Sequence, residues 1–220
     1  MKNPLFPTIC VDDFFEDPEK IRNFALSQDF NYSPEGEYPG MRTDPLHKIN
    51  PELFDYFTKK LFSIFYNFKI EKVNWIVSAY FQLIESHNDQ QLDQGWIHLD
   101  DRSLFAGIIY LNKFSNPLAG TSIFDLKDNE IFDSEQTTKH KFYKNELSDT
   151  ELYIDLLEKN NKKFEKTVEF KNKFNRLVAF DGSTFHKRDS FSDKHEPRLT
   201  LVFFTHEIES NRLPLIFDNH

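Results

Sequence analysis

Two residues separated by one position, His98 and Asp100 in His98-Leu99-Asp100, carry the first chemical signal in this chain. On an extended backbone, residues i and i+2 project to the same side, so this imidazole and this carboxylate face one point. A second imidazole, His186, stands far downstream, just after Phe180 and the turn pair Asp181-Gly182. Two imidazoles and one carboxylate are the donor set that holds Fe(II) on one face and leaves positions open for other ligands. Arg198 and Thr200 open a further apolar stretch and share one face by the same alternation. A guanidinium in that place can clamp a carboxylate through two parallel hydrogen bonds.

Each signal has a rival. His87-Asn88-Asp89 repeats the His-x-Asp spacing, but inside a polar run that reads as a hairpin loop, and a bare triplet of this kind is as easily a surface turn. His195 lies in Asp193-Lys194-His195-Glu196, a fully solvated sequence. His98 is preferred because it leads into an apolar strand, and His186 because Phe180 and Phe185 flank it. The plain alternative for Arg198 is an edge-strand charge paired with Glu196 or Asp193.

The elements that must position these groups follow from pattern. Asp17-Pro18 and Asn50-Pro51 both read as a helix N-cap followed by proline at the first helical position. An apolar stripe of Leu53, Phe54, Phe57, Leu61, Ile64 and Phe65 supports the second helix. Between them, residues 31–50 carry three prolines and two glycines and read as an irregular loop. After Lys69 the chain turns β-branched and aromatic. Strands are expected over 73–84, 104–112, 121–126, 176–180 and 198–206. Residues 127–175 read as a long polar insert with one short helix, started by a capping box of Ser148 and Glu151. The lysine-rich stretch 159–166 reads as a solvated surface. Helices first and short strands after give an α+β chain whose second part is a β-sandwich or barrel.

Composition narrows the classes. A chain of 220 residues is long enough to bury a substantial core, and 25 phenylalanines suggest a core built on rings. Six glycines, none in a strand-to-helix turn, speak against a nucleotide-binding α/β fold. A formal net charge of −9 speaks against nucleic acid as a partner, which calls for a basic face. One cysteine, Cys10, permits no internal disulfide and fits a reducing compartment. No apolar run suits a signal peptide or a membrane span, so the expected location is cytoplasmic, with no membrane partner.

Taken in order, these pieces resemble the Fe(II)- and 2-oxoglutarate-dependent dioxygenases, particularly the prolyl 4-hydroxylase-like group. The resemblance rests on Ser78-Ala79-Tyr80, His98-Leu99-Asp100, Ile108-Ile109-Tyr110-Leu111-Asn112, Asn175-Arg176-Leu177-Val178-Ala179-Phe180, His186 and Pro197-Arg198-Leu199-Thr200. The lead-in Val11-Asp12-Asp13-Phe14-Phe15 is similar as well. It implies a double-stranded β-helix, or jelly roll, with N-terminal helices packed on it. Residues 1–220 would form one oxygenase domain, with 1–70 helical and 71–206 the jelly-roll core. His98, Asp100 and His186 would ligate iron. Arg198 would pair with the distal carboxylate of 2-oxoglutarate, with Thr200, Tyr110 and Tyr80 as hydroxyl neighbours. Turnover would use O2, release succinate and carbon dioxide, and hydroxylate a peptide or a small amino-acid-like molecule, with ascorbate as a candidate reductant. The loop 31–50, with Tyr38 and Arg42, and the surroundings of Trp96 would wall the substrate entrance. The competing classes are a jelly-roll binding module without catalysis and a metal-dependent hydrolase. The hydrolase would want a carboxylate base for water and has no use for a buried Arg198.

Overall fold

The computed structural model describes residues 6–85, 92–114, 116–132, 137–144, 146, 149–190, 196–212 and 214. In chain order the elements are β1 (Ile9–Val11), α1 (Pro18–Leu26), β2 (Asn31–Tyr32), β3 (Met41–Arg42), α2 (Leu46–Ile49), α3 (Pro51–Phe62), β4 (Val73–Ile84), β5 (Phe105–Tyr110), β6 (Thr121–Leu126), α4 (Thr137–Tyr143), α5 (Thr150–Asn161), β7 (Phe164–Phe170), β8 (Leu177–Asp181), β9 (Phe185–Arg188) and β10 (Arg198–Ser210). Seven strands form one sheet in the order β1-β8-β5-β10-β4-β3-β2, and three form another in the order β7-β6-β9. Among the described residues every strand pairing is antiparallel.

The two expected helix starts are present. Asp17 accepts a hydrogen bond from the Lys20 amide at 3.1 Å, and Asn50 accepts one from the Leu53 amide at 3.0 Å, so each satisfies a donor that the helix itself leaves free. These helices cover one face of the large sheet. Alternation sorts the strand residues between its two faces. Val77, Ala79 and Phe81 of β4, with Phe105 and Ile109 of β5 and Leu199, Leu201 and Phe203 of β10, pack with Phe57, Leu61 and Phe62 of α3. The intervening Tyr80, Ala106, Ile108, Tyr110 and Val202 turn the other way and meet Ile123 of β6 and Phe170 of β7 in the small sheet. β5 is covered on both faces, and all six of its residues are buried. That is why it reads as a continuous apolar run rather than an alternating one.

The region expected to be a polar insert is more ordered than its composition suggests. It contributes α4, α5 and a full strand, β7, paired with β6. The stretch 159–166 closes α5 and opens β7, with the side chains of Lys159, Lys162 and Lys166 facing solvent. Helix α5 starts at Asp149, whose carboxylate accepts from the Leu152 amide at 2.9 Å. Ser148, the expected cap, lies outside the described residues. The loop 31–50 also contains β2, β3 and α2, and the last strand runs to Ser210 rather than 206.

Candidate metal centre and its cavity

The two histidines meet through their backbones. His98 forms an isolated bridge with His186, each amide donating to the other's carbonyl at 3.1 and 3.0 Å. Residues opposed in this way send their side chains to the same face. The rings lie 4.4 Å apart between centroids. The sequence places His186 just after a strand and a turn; it stands on a strand of its own, β9, opposite Ile123 of β6.

Asp100 is aligned by the same stretch of chain. Its amide donates to the Gly182 carbonyl at 3.1 Å. Gly182 has no spare room, because a Cβ there would press on the Ser103 and Asp100 carbonyl oxygens. A residue with a side chain would push the Asp100 segment away. His98, Asp100 and His186 each offer a ligand atom, and all three atoms lie within 4.8 Å of one another. Asp100 Oδ1 is 3.8 Å from His98 Nε2, and Oδ2 is 3.4 Å from His186 Nε2. No other group of three such residues forms among the described residues.

The remaining ring nitrogens are committed. His98 Nδ1 lies 2.8 Å from the Trp96 carbonyl oxygen, and His186 Nδ1 lies 2.9 Å from that of Thr184. A carbonyl only accepts, so both Nδ1 atoms carry a proton, and both Nε2 atoms face the centre. This is the outer support that metal-ligating histidines require. Burial, the neighbouring His186 and Lys139 push the His98 imidazole down to about 3, so it is neutral at physiological pH. Burial alone would raise the Asp100 carboxyl, but His186, His98 and Arg42 outweigh it and hold the group below the usual carboxylate range. A neutral His98 imidazole beside an ionised carboxylate is the state a divalent metal needs.

Arg198, at the start of β10, is only 2% exposed. Its Nε donates to the Ala119 carbonyl at 3.3 Å, while Nη2 is buried with no hydrogen-bond partner. Burial pushes the guanidinium down to about 10, which leaves it charged. A buried, charged nitrogen without an acceptor is costly, and an incoming carboxylate would satisfy it. The donor set and this orphaned nitrogen thus fit a divalent metal together with a 2-oxo dicarboxylate.

All four groups line one cavity of about 590 Å³. Its apolar walls include Ile108, Phe180 and Val202, with the Phe180 ring 4.2 Å from that of His186. Tyr38 and Arg42 of the 31–50 segment line it, as does Trp96. Tyr80, Tyr110 and Thr200 do not line it. Tyr110 sits behind Arg198, whose Cζ is 5.5 Å from its ring, and its hydroxyl donates to Thr121 Oγ1 at 2.7 Å. Thr121 is itself a wall residue. Thr200 Oγ1 points at the Gln82 carbonyl, 3.5 Å away. Tyr80 packs near Arg42, 5.5 Å from its Cζ. Sequence reasoning missed Thr121, Lys139 and Arg188 as walls. Arg188 was recoverable, since it shares a strand face with His186 by the i, i+2 rule. Lys139 was not, because nothing in a polar helix marks it as turned inward. His87 and His195, the rival ligands, lie outside the described residues.

Several solved structures share this fold at low identity. One is HygX from Streptomyces hygroscopicus with nickel and 2-oxoglutarate bound, at 11% identity and a TM-score of 0.54 over 90% of this chain and 82% of that one. A second is a prolyl hydroxylase from Trichoplax adhaerens in complex with a hypoxia inducible factor oxygen degradation domain peptide, at 12% identity and 0.51 over 90% and 82%. A third is SnoK, a non-heme alpha-ketoglutarate-dependent carbocyclase from nogalamycin biosynthesis, at 12% and 0.51 over 97% and 84%. These likenesses are of fold: a mixed α/β chain built on a large antiparallel sheet, of the kind seen in 2-oxoglutarate oxygenases. No curated protein matches the sequence. Residues 2–205 match one family profile, and the chain accordingly belongs to DUF6445, a family of unknown function.

Proposed function

We propose that this chain is an Fe(II)- and 2-oxoglutarate-dependent oxygenase that hydroxylates a C–H bond of a peptidyl or small amino-acid-like substrate. The observation that carries the reading is the convergence, in one cavity, of His98, Asp100 and His186 with the unsatisfied Nη2 of Arg198. His98, Asp100 and His186 would hold the metal, and Arg198 the distal carboxylate of 2-oxoglutarate. Bound together with O2, iron and 2-oxoglutarate supply the oxidising chemistry, with release of succinate and carbon dioxide.

The chain's own work is positional. The Trp96 and Thr184 carbonyls hold both imidazoles in the Nδ1–H tautomer and aim Nε2 inward. Tyr110 backs the Arg198 guanidinium, and its bond to Thr121 ties β5 to β6 behind the anchor. Phe180, Ile108 and Val202 give the cavity an apolar flank that keeps water from the reacting region. In this reading the two sheets are the two halves of a double-stranded β-helix, residues 71–206 its core, 127–175 an insert, and 1–220 one oxygenase unit.

The hydrolase reading lacks its base. Asp100 is the carboxylate inside the cavity, whereas Glu37 and Asp101 on its walls are exposed. The binding-module reading leaves a complete donor set without a purpose. The test is succinate release from 2-oxoglutarate by the purified chain, with Fe(II) and O2 each omitted in turn. Release that needs both supports the reading; release indifferent to either, or none in their presence, contradicts it.

A further inference from the structure

The cavity carries more positive charge than a metal site with one anchored cosubstrate requires. Arg198 is assigned to 2-oxoglutarate. Arg42 from β3, Lys139 from α4 and Arg188 from β9 line the same space. This interior contrasts with a chain whose formal net charge is −9.

Arg42 is held like a preformed binding group. Its Cζ lies 3.9 Å from the centroid of the Tyr38 ring and 5.3 Å from that of Phe204. Rings at these distances favour the cation and fix the guanidinium plane, so little conformational freedom is left to lose on binding. Its Nε is buried without a hydrogen bond, and no carboxylate pairs with it among the described residues. Lys139 is 5% exposed, with no ion pair or hydrogen bond among the described residues. Arg188 differs, because its Nη2 donates to the Tyr143 hydroxyl at 3.0 Å. Burial disfavours the charge on both Arg42 and Lys139. Tyr38 and then Asp100, with Glu37 to a lesser degree, offset it for Arg42, and Tyr143 and then Asp100 for Lys139, so Asp100 is the carboxylate common to both. Once Asp100 serves a metal, that part of the compensation weakens, and an incoming anion would offset both buried cations.

We propose that Arg42 and Lys139 form the substrate-reading end of this site, and that the primary substrate is a small molecule bearing a carboxylate or phosphate that these two side chains bind. The assignment rests on the oxygenase reading, since it reserves Arg198 for the cosubstrate. It places one substrate contact on the 31–50 segment and the other on the insert, so the insert helps to build the substrate site.

The test uses the full chain loaded with Ni(II) and 2-oxoglutarate, which fills the Arg198 site without turnover. Melting is followed in inorganic phosphate, in N-acetylglycine and in its neutral amide, each against chloride at matched ionic strength. Far-UV circular dichroism checks that the variants fold. A rise of about 2–4 °C is expected with phosphate or N-acetylglycine at a few times its dissociation constant. The responding probe identifies the anion class. Arg42→Gln and Lys139→Gln should each abolish the rise. No rise with either anion, an equal rise with the amide, or a rise retained in both variants overturns the proposal. Succinate release by the Fe(II)-loaded wild type is measured in parallel. Release without an anion response removes the substrate assignment alone, whereas absent release removes the oxygenase reading beneath it.

Discussion

At the scale of single residues, the site depends on which atoms are already committed. Two backbone carbonyls occupy the Nδ1 atoms of His98 and His186, and the Ala119 carbonyl takes Arg198 Nε. What remains free is one Nε2 on each ring, a carboxylate, and one guanidinium nitrogen. Arg198→Ala should raise the 2-oxoglutarate concentration needed for half-maximal succinate release by about 30-fold or more, since truncating one partner of a buried charge pair costs about 2–5 kcal/mol. An unchanged requirement would detach Arg198 from the cosubstrate. The shared face of His98 and Asp100 was legible in the sequence because strand alternation is a local rule, Arg198 because it opens an apolar strand, and His186 because Phe180 and Phe185 flank it. Arg42 and Lys139 were not legible as partners. They reach the cavity from a two-residue strand and from a helix in the polar region, and only the fold brings them together.

At the scale of elements, the sequence shows those whose signal is local. Capped helices and long apolar strands were readable. β7 was not, because in Phe164–Phe170 the strand exposes five consecutive residues and carries charges along its open edge. Charged edge strands protect a sheet from pairing with other chains, and the same charges disguise them as surface loop. β9, with four residues, is too short to stand out, yet it carries His186. Its turn is sensitive. Gly182→Ala should destabilise the fold by about 1–3 kcal/mol through overpacking, and should weaken metal binding by displacing Asp100; urea unfolding and metal titration on one preparation would show both. A second joint lies at β1, where Asp12 accepts from Arg176 Nε at 2.6 Å and meets Lys173 Nζ at 2.9 Å. Hydrogen bonds from Arg176 and Lys173 hold the Asp12 carboxyl below its ordinary range. The stabilisation is therefore full above the unfolded value of about 3.9 and fades as pH falls below it. Asp12→Asn should be less stable than the wild type at pH 6, by a modest amount because the pair is partly exposed. The two should converge toward pH 2, a comparison that urea midpoints across pH can make.

For the whole molecule, the layers divide the labour. Helices and one face of the large sheet form a ring-rich core, while the opposite face and the small sheet frame the cavity. Phe203, fully buried on the helix side with Phe57 at 5.3 Å and Phe105 at 5.9 Å, belongs to the first layer. Phe203→Ala should cost about 3–5 kcal/mol in urea unfolding while leaving metal affinity of the folded protein unchanged, and a matched loss of affinity would show the layers are not independent. The helices ahead of β4 and the long strands from β4 on were visible from local pattern, while β1 and the pair α4 and α5 break the simple order of helices before strands. The pairing of distant strands was not, because register is settled by contacts between segments far apart in the chain. The central claim concerns those contacts, and anaerobic titration of Fe(II) with 2-oxoglutarate tests it most directly. The wild type should develop a weak visible charge-transfer band, and Asp100→Ala and His186→Ala should abolish it. A wild type that stays colourless at saturating Fe(II) and 2-oxoglutarate, or variants that keep the band, would contradict the account.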